Sequence, residues 1–239
     1  MADLTAYNHK HNLGNGENNR DGSDNNNSFN HGAEGPTADP EIVTSRRKAM
    51  RNLLGTLLFS AGVPMLTAGD EFGRSQRGNN NAYCHDSELT WLSWRREPWQ
   101  EELYAVTRRL IELRRENPAL RPVHFAKLGE IVAGASQMDW FDTNGSPMSE
   151  EDWNSPQART LQYLAASTPD HEEFNRILLI VHATETPTTV TLPQHEGVTG
   201  YELLWDSSDD ALGLGETVSF APGDAVSLTG TTMRLLRAH

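Results

Sequence analysis

The sequence predicts two fold classes in order, an α/β part followed by an all-β antiparallel sandwich. The α/β part is indicated by two amphipathic helices, over about residues 39–61 and 98–116, and by a strand-sized apolar run at 63–68. The all-β part is indicated by eight short runs of β-branched and aromatic residues between turn-forming clusters. Because the sequence pattern changes after the second helix from helical periodicity to short β-type runs, we expect domains at 1–117 and 118–239.

The first helix has clear start and stop signals. Asp39 suits the N-cap, Pro40 suits the first helical position, and Glu41 places an acid in the first turn. Apolar residues then recur at three- and four-residue spacing until Gly62 ends the helix: Val43, Met50, Leu53, Leu54, Leu57, Leu58 and Ala61. The basic residues lie on the other side and predict a solvated face: Arg46, Arg47, Lys48 and Arg51.

A polar loop, residues 69–86, follows the apolar run at 63–68. The run is bounded by Pro64 and Gly69, and we expect it to form a buried strand. The loop is dense in Asp, Glu, Arg, Gln and Asn. Since parallel α/β folds place binding sites at the carboxyl ends of their strands, this loop is the predicted site.

Two adjacent acids, Asp70 and Glu71, open the loop and invite comparison with a glycosidase carboxylate pair. Such a pair must flank one bond, with its carboxyl groups about 5 to 9 Å apart. If both residues continue the strand, their side chains point to opposite faces, and one of them alone can aim at a common site. We therefore expect one acid to orient loop amides or to pair with Arg74 or Arg77.

The remaining loop side chains suit a neutral, polyhydroxylated ligand such as a sugar. They supply amide donors and acceptors together with one aromatic face: Gln76, Asn79, Asn80, Asn81 and Tyr83. No Ser-His-Asp arrangement, phosphate loop or dinucleotide glycine pattern can be read from the sequence. We therefore expect no cofactor.

Residues 1–40 are crowded with Asn, Gly, Asp and His and lack apolar periodicity, which predicts a long loop or disorder. Loops of this length are usually functional or belong to a larger body. His9 and His11 alternate as metal ligands could, but without a Cys or acidic partner at zinc spacing we favour solvated histidines. Residues 19–24 match a calcium loop weakly, because the closing Glu is missing.

Aromatic residues cluster at two places beyond the loop. Residues 89–94 contain Trp91 and Trp94, which could pack beneath a sugar or close a core, and we favour the core. The predicted β-runs are residues 138–141, 160–165, 177–183, 188–192, 201–205, 217–220, 225–228 and 233–236. The all-β part also holds aromatics that could grip a glucan or lie in a sandwich core, which we favour: Trp140, Trp153, Tyr163 and Trp205.

The overall composition excludes several classes of function. With 33 Asp and Glu against 20 Lys and Arg, the formal net charge of −13 opposes binding to nucleic acid. No run of about eighteen apolar residues occurs, so we expect neither a membrane span nor a membrane partner. The single cysteine, Cys84, excludes an internal disulfide and favours a cytoplasmic protein.

Four segments together resemble the glycogen-debranching and isoamylase branch of the α-amylase superfamily of glycoside hydrolases: residues 4–12, 15–22, 68–76 and 78–84. The resemblance extends through 89–94 and the helix end at 114–121, and then fades into the β region. It implies the last part of an eight-stranded β/α (TIM) barrel, with 63–68 as strand eight, followed by a carboxy-terminal β-sandwich. It also implies a retaining hydrolase of α-1,6 branch linkages in glycogen or related α-glucans.

The same resemblance implies that the catalytic carboxylates of the family lie on barrel strands four, five and seven, which this chain does not show. We therefore expect a carboxy-terminal fragment that is inactive alone and supplies loops to the substrate cleft. The candidate substrate-binding residues are Asp70, Glu71, Arg74, Gln76, Asn79, Asn80, Asn81, Tyr83 and His9. We expect a loosely packed barrel part that can self-associate through an exposed barrel edge. A non-catalytic carbohydrate-binding module and a structural domain without ligand remain as alternatives.

Overall fold

A computed structural model describes residues 1–122, 138–167, 173–209 and 217–239. The chain forms two compact units, which we call the loop unit and the sheet unit. The loop unit comprises Met1–Leu54 and Met65–Arg108, and the sheet unit comprises Gly55–Pro64 and Arg109–His239. The expected domain boundary after residue 117 falls inside the sheet unit.

Both predicted helices are confirmed. Helix α1 runs from Pro40 to Phe59 and helix α2 from Pro98 to Glu116. The N-cap of α1 forms as the sequence indicates, since the Glu41 amide donates to Asp39 Oδ1 at 3.0 Å. Short 3₁₀ turns occur at Ala2–Thr5, Leu13–Asn15, Asp70–Phe72 and Pro118–Leu120. No helix among the described residues is long and apolar enough to cross a membrane.

The predicted solvated face of α1 is wrong at two of its four basic residues, because Arg46 and Arg51 are buried. The Arg46 guanidinium donates from Nη1 to the Gly35 carbonyl at 2.7 Å and from Nη2 to the carbonyls of Asn30, at 2.8 Å, and Ala33. Residues 30–35 thus fold over this arginine. The five N–H donors of a guanidinium can satisfy several carbonyls at once, which makes the burial tolerable.

The predicted buried strand at 63–68 is also wrong in the described structure. This segment has no regular secondary structure, and no described strand pairs with it. Val63 is 91% and Met65 84% exposed. A strand requires hydrogen-bonding neighbours for its backbone, so an apolar run without such neighbours stays irregular and exposed.

The sheet unit contains all eight predicted strands, which pair antiparallel throughout. They are β1 Met138–Phe141, β2 Thr160–Ala166, β3 Arg176–His182, β4 Thr188–Thr191, β5 Tyr201–Asp206, β6 Ser219–Phe220, β7 Ala225–Leu228 and β8 Thr232–Ala238. Six of them form a sheet in the order β1-β2-β3-β8-β5-β6, and β4 pairs with β7. A short helix, α3, spans Glu150–Asn154.

One hydrophobic core joins the two sheets. Its buried side chains come from both, with Leu178 and Leu236 from the large sheet and Val190 and Val226 from the small one. Gln162 of β2 strengthens this arrangement, since its buried Nε2 donates to the Asp142 and Thr191 carbonyls at 2.8 Å each. The described residues are therefore mainly antiparallel β-structure with two long helices.

The opposite face of the large sheet is covered as well. The rings of Phe59 and Trp205 meet edge to face with centroids 5.5 Å apart. Arg114 of α2 is buried. Its guanidinium donates to four carbonyls, those of Leu58, Ser60, Gly62 and Leu120. Leu58 lies in the last turn of α1, whose carbonyls lack helical partners, and the bonds to Ser60 and Gly62 hold the segment that follows the helix.

Candidate functional site

The polar loop opens with the 3₁₀ turn Asp70–Phe72 between two glycines. Gly69 has a φ of +98° and Gly73 a φ of +73°, both in the left-handed region that favours glycine. A Cβ at Gly69 would lie 2.7 Å from a methyl carbon of Leu92, so the turn leaves no room for a larger residue. Glu71 Oε2 accepts a hydrogen bond from the Gly69 amide at 2.7 Å, and this acid therefore orients a loop amide.

Five asparagines connect two loops that are distant in sequence through hydrogen bonds. We call them the asparagine cluster: Asn12, Asn15, Asn79, Asn80 and Asn81. Asn12 Nδ2 donates to Asn80 Oδ1 at 2.8 Å, and the backbone N–H of Asn80 donates to Asn12 Oδ1 at 3.0 Å. Asn79 Nδ2 donates to Asn15 Oδ1 at 2.6 Å, while Asn15 Nδ2 reaches the Asn81 carbonyl at 3.1 Å. A side-chain amide both donates and accepts, so this residue type suits reciprocal bonding.

Asp21 supplies a negative charge beside the asparagine cluster. Its Oδ2 accepts hydrogen bonds from Asn15 Nδ2 at 2.6 Å and Asn81 Nδ2 at 2.9 Å. These bonds, first that of Asn81 and then that of Asn15, hold the pKa of Asp21 below its usual value. The buried Lys10 ammonium donates to the Asp21 carbonyl at 2.9 Å and pairs with Asp24 at 2.8 Å. The residues that composition alone marks as disordered are thus tightly hydrogen-bonded.

A second carboxylate, Glu34, organises the segment at 8–11. It accepts hydrogen bonds from four donors: the Asn8 amide at 2.8 Å, the His9 amide at 3.1 Å, His11 Nε2 at 2.8 Å and Asn30 Nδ2 at 3.0 Å. Partial burial raises the pKa of Glu34, but these hydrogen bonds outweigh burial and lower the pKa to about 2. Glu34 therefore carries a negative charge and holds this segment in place through these hydrogen bonds.

A cleft of about 280 Å³ lies in the loop unit. Five of the nine candidate residues line it together: Asp70, Arg74, Gln76, Asn79 and Asn80. Further polar groups come from the first thirty residues, namely Asp3, Tyr7, Asn26, Asn27 and Ser28. Asp3 holds the loop in place, because its carboxylate accepts hydrogen bonds from the backbone N–H of Gln76 at 2.7 Å and from Ser75 Oγ at 2.5 Å.

The other four candidate residues do not line this cleft. Glu71 turns to the Gly69 amide, and Asn81 turns to Asp21. Tyr83 and His9 are exposed. Asp70 has a different partner from Glu71, because the α-amino group of Met1 contacts the Asp70 carboxylate.

Sequence reasoning missed the contribution of residues 3–28 to the cleft. Tyr7 is buried there, and burial raises the pKa of its hydroxyl above the usual value. The signal was present as the density of Asn and Asp in this stretch, which a loop assignment treats as solvated. Within the described residues, no group of three or more His, Cys, Asp and Glu side chains is arranged to hold a metal ion.

The aromatic residues of the sheet unit are mostly internal. Tyr163 and Trp205 are buried, and burial raises the pKa of Tyr163 to about 12. Trp140 packs between Tyr163 and Trp153, with ring centroids 4.5 Å and 5.4 Å away. Trp153 is the more exposed partner. In contrast, Trp91 and Trp94 of the loop unit are exposed, so the predicted core role of 89–94 is wrong for these two rings.

Solved structures with a similar fold include pullulanases. The chain matches a type I pullulanase from Bacillus subtilis in complex with maltose at 22% identity and a TM-score of 0.57, over 80% of this chain and 23% of that one. It matches a pullulanase from Bacillus acidopullulyticus at 17% identity and the same TM-score of 0.57, over 86% of this chain and 22% of that one. The fold of this chain is therefore similar to that of a part of these two pullulanases.

Curated sequences place the chain among particular relatives, although no family model matches it. A glycogen debranching enzyme of Serratia proteamaculans is 42% identical over 193 residues, which are 81% of this chain and 27% of the relative. A glycogen operon protein GlgX homolog of Mycobacterium bovis is 46% identical over 155 residues, 64% of this chain and 22% of the relative. The predicted resemblance to glycogen debranching enzymes is thus confirmed. The chain spans about a quarter of the length of these relatives.

Proposed function

We propose that the loop unit forms one wall of an α-glucan cleft in a debranching glycoside hydrolase that cleaves α-1,6 branch linkages. The observation that carries this proposal is the convergence of Asp70, Arg74, Gln76, Asn79 and Asn80 on one cleft. These side chains combine amide, guanidinium and carboxylate groups. Such groups can both donate to and accept from the hydroxyls of a neutral sugar.

The wall is organised before any ligand arrives. Gln76 Nε2 already donates to the Asn79 carbonyl at 2.9 Å, and the buried Asn79 is held by Asn15. Asn80 is fixed by Asn12 and by Ser23 and Asn26, whose oxygens accept from its Nδ2 at 2.9 Å each. Ligand binding then loses little side-chain entropy, since the rotamers are set by the protein.

The irregular segment at 63–68 fits a barrel strand without its neighbours. Val63, Met65 and Thr67 alternate and are all exposed. Alternating side chains of a strand share one face, so this pattern is what a strand presents when a further layer covers it. We therefore propose that the chain contains the last part of a β/α barrel, domain 1–117, followed by a β-sandwich, domain 118–239.

The nucleophile and the acid/base are proposed to lie outside residues 1–239. Glu71 is occupied by the Gly69 amide, so Asp70 and Glu71 are not proposed as a catalytic pair. The purified chain incubated with glycogen is expected to release no linear glucan chains, as measured by reducing ends. If such chains are released and Asp70→Asn abolishes their release, the polar loop itself takes part in catalysis and the proposal is wrong.

Two arginines of the same loop provide a matched test of glucan binding. Arg74 lines the cleft, whereas the side chain of Arg77 is 72% exposed and pairs with Glu88 at 3.8 Å. Glycogen limit dextrin in an affinity gel should retard the full chain. Arg74→Met should weaken retardation about tenfold, the order expected for lost bonds to a charged donor. Arg77→Met should behave as wild type, and equal effects of both variants would contradict the proposed cleft.

The carbohydrate-binding module remains the second candidate, and Trp153 is the residue that favours it. Trp153 is 45% exposed on the sheet unit, and its ring meets that of Trp140 edge to face. If this unit grips glucan, Trp153→Ala should abolish retardation while Arg74→Met leaves it unchanged. The cleft proposal expects the opposite result, so one gel series separates the two functions.

A further inference from the structure

A second cavity, of about 320 Å³, lies in the loop unit beside helix α1, and we call it the α1 cavity. Its volume falls at the lower end of the range for small-molecule sites, about 300–1,000 Å³. Most of its lining is apolar and comes from several separate segments of the unit: Ala2, Ala6, Pro36, Val43, Met50 and Trp99. Small-molecule sites commonly combine such an apolar lining with a few polar groups.

Tyr7 and Asp3 line both the α1 cavity and the proposed glucan cleft, so they form a wall between the two. A Cβ at Gly78, which lines the cleft, would lie 2.7 Å from Tyr7 Cδ1. A Cβ at Gly35, which directly precedes the cavity residue Pro36, would lie 3.8 Å from the Tyr7 hydroxyl oxygen. One edge of the Tyr7 ring thus faces the cleft, while its hydroxyl lies beside the segment that lines the α1 cavity.

The hydroxyl of Tyr7 is available to a bound molecule. Tyr7 is 7% exposed, and within the described ranges its hydroxyl has no hydrogen-bond partner. Buried tyrosine hydroxyls usually have one. That of Tyr201, for example, donates to the Pro193 carbonyl at 2.8 Å. Burial raises the pKa of Tyr7, so its hydroxyl is protonated at neutral pH and can donate.

The charged side chains of the α1 cavity favour an anion. They are two guanidinium groups, Arg46 and Arg47, against one carboxylate, Asp3. The Asp3 carboxylate already accepts two hydrogen bonds from the polar loop. The side chain of Arg47 is 41% exposed and lies 4.0 Å from Glu102, so its donors are accessible. In a chain with a formal net charge of −13, a cavity with this positive balance selects for a ligand of opposite charge.

We propose that the α1 cavity is a second binding site, which takes a small amphipathic anion with an apolar body, such as one aromatic ring, and a single carboxylate. The apolar body packs against Val43, Met50 and Trp99. The carboxylate pairs with Arg47, and the Tyr7 hydroxyl donates to a ligand oxygen. This class of ligand differs from a glucan, which is uncharged and covered with hydroxyls.

Fluorine NMR titration of the full chain with 4-fluorobenzoate tests the site. The wild-type chain should bind this probe with a Kd of about 1 mM or tighter, the affinity of a small ligand in a preformed cavity. Tyr7→Phe and Arg47→Met should each weaken binding about three- to tenfold, the scale of one hydrogen bond or one partly exposed charge pair. Val43→Trp should abolish binding, because the larger ring fills the cavity.

Two comparisons establish that the probe occupies the α1 cavity and that charge selects it. Arg74 lines the cleft and not the α1 cavity, so Arg74→Met is the matched control and should bind 4-fluorobenzoate as wild type does. An excess of maltotriose should not displace the probe. The cationic analogue 4-fluorobenzylamine should bind at least about tenfold more weakly, since it meets two guanidinium groups.

The outcomes that would overturn the site are distinct. A wild-type chain that does not bind 4-fluorobenzoate refutes it. Displacement by maltotriose, or equal weakening by Arg74→Met and Arg47→Met, assigns the probe to the cleft instead. Unchanged affinity in Val43→Trp, with a wild-type circular dichroism spectrum, places the probe outside the cavity, and equal affinity for the amine refutes selection by charge. Since the probe is not a glucan, failure here leaves the proposed function to its own test.

Discussion

Replacement of Arg46 by methionine should destabilise the loop unit, whereas the same replacement of Arg47 should not. The two arginines are neighbours on α1 and look equivalent in the sequence. Arg46 is 8% exposed and donates to the carbonyls of Gly35, Asn30 and Ala33. The side chain of Arg47 is 41% exposed, and its distance of 4.0 Å to Glu102 is at the limit for an ion pair.

The loss of folding free energy in Arg46→Met depends on how each of the three carbonyls is satisfied once the guanidinium is gone. Bonds from a charged donor contribute about 1.5–3 kcal/mol each, so three of them set an upper bound of roughly 4.5–9 kcal/mol. The Asn30 and Ala33 carbonyls are partly buried and can bind water after the change, while the Gly35 bond is buried. Burial also lowers the pKa of Arg46, because the guanidinium loses hydration in the folded state. We therefore expect a net loss of about 2–4 kcal/mol.

Urea unfolding of the full chain, followed by circular dichroism, measures this loss. With a slope of about 2 kcal/mol per molar urea, the Arg46→Met midpoint should fall by about 1–2 M. The Arg47→Met variant is the matched control and should stay within about 0.5 kcal/mol of wild type. Arg46→Lys should be intermediate, because an ammonium keeps the charge without the planar fork. Equal midpoints for the two methionine variants would refute the structural role of Arg46.

Two further predictions concern pH and packing. The depressed pKa of Glu34, about 2, means that its contribution to stability is fully present above the unfolded pKa of about 4.3 and is lost as the pH falls toward 2. Glu34→Gln should remove this part of the pH dependence of the melting temperature, and an unaltered acid limb would contradict the role of the carboxylate. A Cβ at Gly55 would lie 3.0 Å from Met233 Sδ and from a ring carbon of Trp205, so Gly55→Val should cost about 1–3 kcal/mol. Gly14→Ala, with no atom within 4 Å of the new Cβ, should melt as wild type, and equal melting of both variants would show that the packing around α1 is loose.

The regular elements could be predicted from the sequence because their causes are local. The Asp39-Pro40 start of α1 and the alternation in the β-runs are properties of neighbouring residues. Both long helices and the eight strands of the sheet unit appear where these patterns predict them, whereas the strand predicted at 63–68 does not form. The confirmed resemblance to debranching enzymes rests on contiguous motifs in the same way.

The position of the polar loop was predictable, whereas the directions of its side chains were predictable only in part. Composition marks residues 69–86 as a polar loop, and five candidate residues do share the cleft. Composition does not give the direction of each side chain in a loop. Glu71 and Asn81 therefore turned out to serve the loop itself, through Gly69 and Asp21. The partners of the loop, at residues 3–28, lie more than fifty positions away in sequence and carry no periodic signal.

The sequence by itself determined the helices, the strands, the polar loop and the relationship to debranching enzymes, because each depends on residues close together in the chain. Tertiary structure alone decided which chemically similar residues are buried. Arg46 is enclosed and Arg47 is exposed, while Val63 and Trp91 remain outside despite their apolar character. Burial depends on which distant segment folds over a residue and on whether that segment satisfies its polar groups. Such pairing between remote segments leaves no local pattern from which it could be read.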